Sequence, residues 1–120
     1  MTYTPSTITT IDGREVLSDS EEWRLVCEAV YSLGKSEVDR SAWLTSVAAK
    51  RGAAGRQHLE DEMFRIEPAY LLAMGTKEQR QAYLAQVERY RGEMVRKDLE
   101  RRLIALWEQR KAAQAAEEKS

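Results

Sequence analysis

The phrase AWLTSVAAKRG at residues 42–52 returns as AYLAQVERYRG at residues 82–92. With an offset of 40, residues 40–66 align with residues 80–106 in 27 pairs, of which nine are identical. The identities are Arg40/Arg80, Ala42/Ala82, Leu44/Leu84, Val47/Val87, Arg51/Arg91, Gly52/Gly92, Arg56/Arg96, Leu59/Leu99 and Glu60/Glu100. Trp43/Tyr83, Met63/Leu103, Phe64/Ile104 and Ile66/Leu106 keep their character. An internal repeat of this kind constrains a fold more than any single motif, because each copy must form the same supersecondary unit.

Each copy reads as helix, stop, helix. Ser36 and Thr76 are placed to cap, since a hydroxyl can accept from the unpaired amides of a first turn. Thr76 has Gln79 three residues on, the spacing of a capping box. Leu44 and Val47, like Leu84 and Val87, share a helix face beside Trp43 or Tyr83. Gly52 and Gly92 are expected in the left-handed conformation that ends a helix, with Arg51 and Arg91 in its last turn. Leu59 and Met63, or Leu99 and Leu103, mark the second helix. A pair of short helices buries too little apolar surface alone. Two pairs are therefore expected to face each other about a pseudo-two-fold, with Trp43, Tyr83, Leu44, Leu84, Val47 and Val87 in the middle.

Before the repeat, SDSEEWRLVCEAVYSLG reads as a helix with Ser18 and Glu21 in capping-box spacing and an apolar stripe of Trp23, Val26, Val30 and Leu33. Gly34 and Gly75 stop the elements ahead of each copy. Pro68 is expected in the first turn of a short helix over 68–74, separate from the helix 53–66. The last helix starts near Glu93 and reaches about Ala113. The opening TITTI-DG-REVL predicts a β-hairpin with a turn at Asp12-Gly13. The expected fold is all-α, a compact bundle of about five helices built from two copies of a roughly 40-residue helix-Gly-helix repeat, with a short N-terminal β-hairpin. Its parts are an arm over 1–17, one helical domain over 18–111 (copies about 28–66 and 67–106) and a frayed polar tail over 112–120.

A chain of 120 residues can bury a core without staples. The formal net charge of −1 creates no field that demands nucleic acid or an anionic membrane. One cysteine, Cys27, excludes an internal disulfide. The N-terminus lacks the basic-then-apolar order of a secretory signal. No apolar run approaches the length of a bilayer span. A cytoplasmic location is expected.

No motif carries a named chemistry. Cys27 is mid-helix beside Glu28, a setting for packing rather than reactivity. His58 and Glu62 share a helix face, but two ligands fall short of a zinc site. The carboxylates of LEDE at 59–62 read as a solvated face, because nothing in the pattern predicts their burial. There is no phosphate-binding glycine loop, nucleophile elbow or Cys-x-x-Cys. The expectation is no enzyme, no cofactor and no metal.

What remains is surface. Residues 67–120 hold 11 Lys+Arg against 9 Asp+Glu, whereas residues 1–66 hold 8 against 11. Arg89, Arg91, Arg96, Lys97, Arg101 and Arg102 gather near Gly92, interleaved with Glu88, Glu93, Asp98 and Glu100, which allows pairs at i, i+4. Trp23, Trp43 and Trp107 are expected as core anchors, with Trp107 the one placed to face a partner. The candidate partner-binding residues are Tyr90, Arg91, Arg96, Arg102 and Trp107, because aromatic and arginine side chains dominate binding hot spots.

The stretches SDSEEWRLVCEA, AYLAQVERYRG and LIALWEQR resemble small, uncharacterised accessory proteins of tailed phages and prophages. These combine an N-terminal hairpin, an S-x-E-W-R helix start and one helix-Gly-helix unit ending in L-W. Here the unit occurs twice. The resemblance supplies no catalytic residue and implies binding and redirection of a host macromolecule, such as RNA polymerase or a defence nuclease complex. The expected function is a non-enzymatic interaction protein acting on a host protein or ribonucleoprotein, anti-CRISPR-like or polymerase-directed, as a monomer or homodimer. A nucleic-acid-binding regulator using the Gly92 corner is the alternative, and a phage assembly component a further one.

Overall fold

The computed structural model describes residues 4–119, so the first three residues of the arm and the final serine of the tail lie outside it. The chain runs β1 (Thr7–Thr9), β2 (Glu15–Leu17), α1 (Glu21–Leu33), α2 (Glu37–Leu72), α3 (Lys77–Arg91) and α4 (Glu93–Lys119). The class is all-α with an N-terminal antiparallel hairpin, as expected. Gly52 interrupts α2 with non-helical dihedrals, which makes five helical segments of the four named helices. The chain divides into two compact units, one ending at Tyr70 and the other beginning at Leu71.

In the first unit, Ile8 pairs with Val16, and β2 buries Val16 between exposed Glu15 and Leu17. The hairpin closes through Ile11-Asp12-Gly13. The Thr10 amide donates to the Arg14 carbonyl at 2.7 Å, the Gly13 amide donates to the Thr10 carbonyl at 3.0 Å, and Gly13 has φ +93°. This is the three-residue loop that needs glycine at its last position. Ser18 was expected to cap α1, but its amide donates to the Ser6 carbonyl at 2.8 Å and its hydroxyl accepts from the Ser6 amide. The ladder occupies Ser18, so the cap moves to Ser20, whose Oγ accepts from the Trp23 amide at 3.1 Å. Ser36 caps α2 through the Asp39 amide.

The core of this unit joins Ala29 and Leu33 of α1 to Leu44, Val47, Leu59, Met63 and Ile66 of α2, with Ile11, Trp43 and Tyr70 packed against it. The hairpin therefore packs on the helices. In the second unit, Leu71, Leu84, Val87 and Leu99 form the core, with Met74, Tyr83 and Leu103 beside them. Leu44, Val47, Leu84 and Val87 are all buried, as the repeat requires. The expectation that they meet in one shared middle is corrected: the two copies contribute to two clusters. Apolar periodicity marks the face that is buried and leaves its partner open.

The capping box at Thr76 forms as read, Thr76 Oγ1 accepting from the Gln79 amide and Gln79 Oε1 from the Thr76 amide. Gly52 (φ +79°, ψ 176°) and Gly92 (φ +100°, ψ 163°) have positive φ, but neither is in the left-handed helical region that was expected. Both occupy an extended positive-φ region open essentially to glycine alone. The chain pivots on one residue and re-enters a helix at once. A Cβ at either site would meet nothing within 4 Å, so the cost of a side chain there is backbone strain. Gly52→Ala and Gly92→Ala should each destabilise by about 1–3 kcal/mol, read by chemical denaturation; a loss below experimental error at either site would contradict the pivot.

Three further expectations are corrected. α2 continues through Pro68 to Leu72 rather than restarting there. The proline lacks an amide for the helix, yet its ring lies in the buried run 66–69, where packing offsets the lost hydrogen bond. α4 extends to Lys119, because its alanine, glutamine, glutamate and lysine residues are strong helix formers even where exposed. Cys27 is exposed rather than packed, since the α1 stripe faces inward at Val26, Ala29 and Leu33.

Candidate functional site

The pivot at Gly92 brings the end of α3 against the start of α4. Tyr90 is 48% exposed, with the Arg89 guanidinium 5.4 Å from its ring centroid. Arg91 Nη2 donates to the Tyr83 hydroxyl at 3.5 Å. Arg96 Nε donates to Glu100 Oε1 at 2.9 Å, and its Nη1 lies 3.4 Å from Glu88 Oε2. The Glu100 hydrogen bond holds the Arg96 guanidinium above its ordinary range. Lys97 pairs with Glu93, and Arg101 with Asp98. The interleaved acids read from the sequence thus pair with Arg96, Lys97 and Arg101 of the basic cluster. Met94, at 85%, and Val95, at 41%, put apolar surface at the same corner.

Tyr90, Arg91 and Arg96 are brought together around Gly92. Arg102 is half-buried on α4. Trp107 stands about 16 Å along the helix axis from Arg96 and belongs to a different place. It is 48% exposed, with Lys111 Nζ 4.0 Å from its ring centroid. Of the three tryptophans expected in the core, only Trp43 packs against a cluster, its indole N–H donating to Ser32 Oγ at 2.8 Å.

The first unit carries a feature that sequence reasoning missed. A cleft of about 410 Å3 opens between α1 and α2, with Glu22, Leu25 and Glu28 on one wall and Arg51, His58 and Arg65 on the other, above Gly55. Arg51 reaches across it to both oxygens of Glu28, at 3.0 and 2.5 Å. Arg14, at the tip of the hairpin, donates to Asp12 at 2.8 Å, to Glu22 at 3.1 Å and to Glu62. Glu62 was expected in a solvated face, yet it is 5% exposed. The guanidinium of Arg14 makes that burial tolerable by supplying the opposite charge. His58 and Glu62 do line one cleft, but no group of three or more His, Cys, Asp or Glu side chains able to hold a metal exists among the described residues.

Glu22, Glu28 and Glu62 are each held by an arginine, an arrangement that joins the hairpin to α1 and α2. Burial alone would raise Asp12, but hydrogen bonds from Thr10 and Arg14 and the Arg14 charge hold its carboxyl below 3.8. A lowered folded value stabilises fully above the ordinary value and is lost as pH falls through the folded one. Asp12→Asn should therefore flatten the loss of thermal stability between about pH 5 and 2; an unchanged slope would remove Asp12 from the acid response.

Residues 16–69 match the model of a family of unknown function (DUF7696). The matched stretch takes in β2 from Val16, α1, and α2 as far as Ala69, and with them most of the residues lining the cleft. No curated protein and no solved structure matches the chain. No helix among the described residues is long and apolar enough to cross a membrane.

Proposed function

We propose that this chain is a small non-enzymatic interaction protein, of the kind tailed phages encode, that binds and modulates a host protein or ribonucleoprotein in the cytoplasm. The observation that carries the reading is the Gly92 corner. Tyr90, Met94 and Val95 are exposed there among basic side chains already paired with Glu88, Glu93, Asp98 and Glu100. Aromatic, methionine and arginine side chains are enriched at protein interfaces, where apolar anchors are buried in a partner's pockets. A phosphate backbone asks for uncompensated positive charge, and the acids of this corner reduce it. In the first unit, carboxylates paired with arginine favour structural work over acid–base catalysis.

The test is affinity capture from host lysate with and without nuclease, using the wild type and Met94→Asp. A protein retained after nuclease by the wild type and lost from Met94→Asp, at equal melting temperature, supports the reading. Loss on nuclease treatment, together with steeply salt-dependent binding to nucleic acid, would favour the nucleic-acid alternative.

A further inference from the structure

We infer that the exposed face of α4 is a self-association surface that pairs with the same face of a second copy of this chain in antiparallel orientation. Lys97, Glu100, Ile104, Trp107, Lys111 and Gln114 recur at alternating steps of three and four, the spacing that keeps side chains on one seam between paired helices. Ile104 is 60% exposed and Trp107 48%, two large apolar side chains one turn apart at the centre of this row. The described residues that follow along the same helix, from Trp107 to Lys119, are all exposed.

The order of charges along the row selects the occupant and its direction. With the two-fold between Ile104 and Trp107, Ile104 of one copy meets Trp107 of the other. Glu100 then meets Lys111, and Lys97 meets Gln114, each twice by symmetry. Lys97 also comes within a turn of Glu118. A parallel pair would set Lys97, Glu100 and Lys111 each against itself, three like-charge contacts that cost energy. Glu100 has acceptor capacity left beyond its bond from Arg96, because a carboxylate can take several donors. Lys111 exchanges its loose 3.8 Å contact with Glu108, and its place 4.0 Å from the Trp107 ring centroid, for Glu100 of the second copy. The row shares Lys97 and Glu100 with the edge of the Gly92 corner, but it is centred on Ile104 and Trp107, and the pairing does not depend on the host-binding reading.

Sedimentation of the full chain over a wide concentration range tests the pairing. Dimer should grow with concentration, and Trp107→Glu should weaken it by about tenfold or more. Glu100→Lys alone and Lys111→Glu alone should each weaken it, and the two together should restore it, with helix content by circular dichroism unchanged. A second measurement fixes the direction. In a Cys27→Ser background, Glu100→Cys with Lys111→Cys should yield disulfide-linked dimers. Within one chain the two sites are about 16 Å apart, beyond the reach of a disulfide. Glu100→Cys alone should not cross-link. A monomer at all concentrations, a charge exchange that fails to restore association, or cross-linking by the single cysteine would each overturn the proposal. Wild-type monomer combined with loss of host-protein capture in Trp107→Glu would assign the face to a different partner instead.

Discussion

Leu59→Ala and Leu99→Ala will each lower the free energy of unfolding by about 2–5 kcal/mol. The two leucines are equivalent positions of the repeat, and they are 0% and 1% exposed. Each brings the second helix of its pair into the same buried cluster as the first: Leu59 with Leu44 and Val47, Leu99 with Leu84 and Val87. Truncation removes apolar surface and leaves a void that a close-packed interior refills only in part. The first core draws on α1 and α2 with a hairpin residue packed against it, and the second on α3, α4 and the end of α2. Leu59→Ala should therefore speed amide exchange in α1 and α2, and Leu99→Ala in α3 and α4. Denaturant titration gives the magnitude and exchange gives the place. A cost under about 1 kcal/mol at either site would mean that its helix pair has no core of its own.

Much of this was legible because the repeat conserves the positions that physics constrains. Thr76 and Ser36 were readable as caps, and the glycine pivots as positive-φ sites. The Arg56–Glu60 and Arg96–Glu100 ion pairs, at 2.7 and 2.9 Å, are the same i, i+4 pair in both copies. Long-range pairing was not legible. Nothing local says that Arg14 reaches Glu62, 48 residues away, so Glu62 read as solvated. The cleft was missed for the same reason, since its walls come from two helices and a hairpin tip. Pro68 read as a helix start because propensity weighs the lost amide, whereas burial of its ring is a tertiary effect. The exposed face of α4 was partly visible, with Trp107 singled out, but its meaning depended on learning that Ile104 and Trp107 both stand exposed on it.

The identity Arg40/Arg80 had no evident purpose in the sequence, and its role supports the second large expectation. α1 and α2 end without a basic residue in the last turn, so their final carbonyls lack a local cation. Arg40 supplies it from the next helix: Nε donates to the Ser32 carbonyl at 3.1 Å, and Nη2 to the Leu33 and Lys35 carbonyls at 3.0 and 3.3 Å. Nη1 pairs with Glu37 at 2.9 Å. Arg80 repeats the device on the Met74 carbonyl at 3.1 Å. The setting differs. Arg40 is 5% exposed and meets buried acceptors, whereas Arg80 is half-buried and makes one such bond. Arg40→Met keeps the aliphatic stem and removes the donors; the Ser32 carbonyl keeps the Lys35 amide at 3.2 Å, while the Leu33 and Lys35 carbonyls lose the guanidinium at about 1–3 kcal/mol each. Its total cost should be about 3 kcal/mol, against about 1 kcal/mol or less for Arg80→Met, where water can replace the donor. Arg40→Lys should recover only part of the loss, since one ammonium cannot span the arc of carbonyls that the planar fork reaches. Equal costs for Arg40→Met and Arg80→Met, or full rescue by lysine, would show that charge near the helix end matters and the geometry of the cap does not.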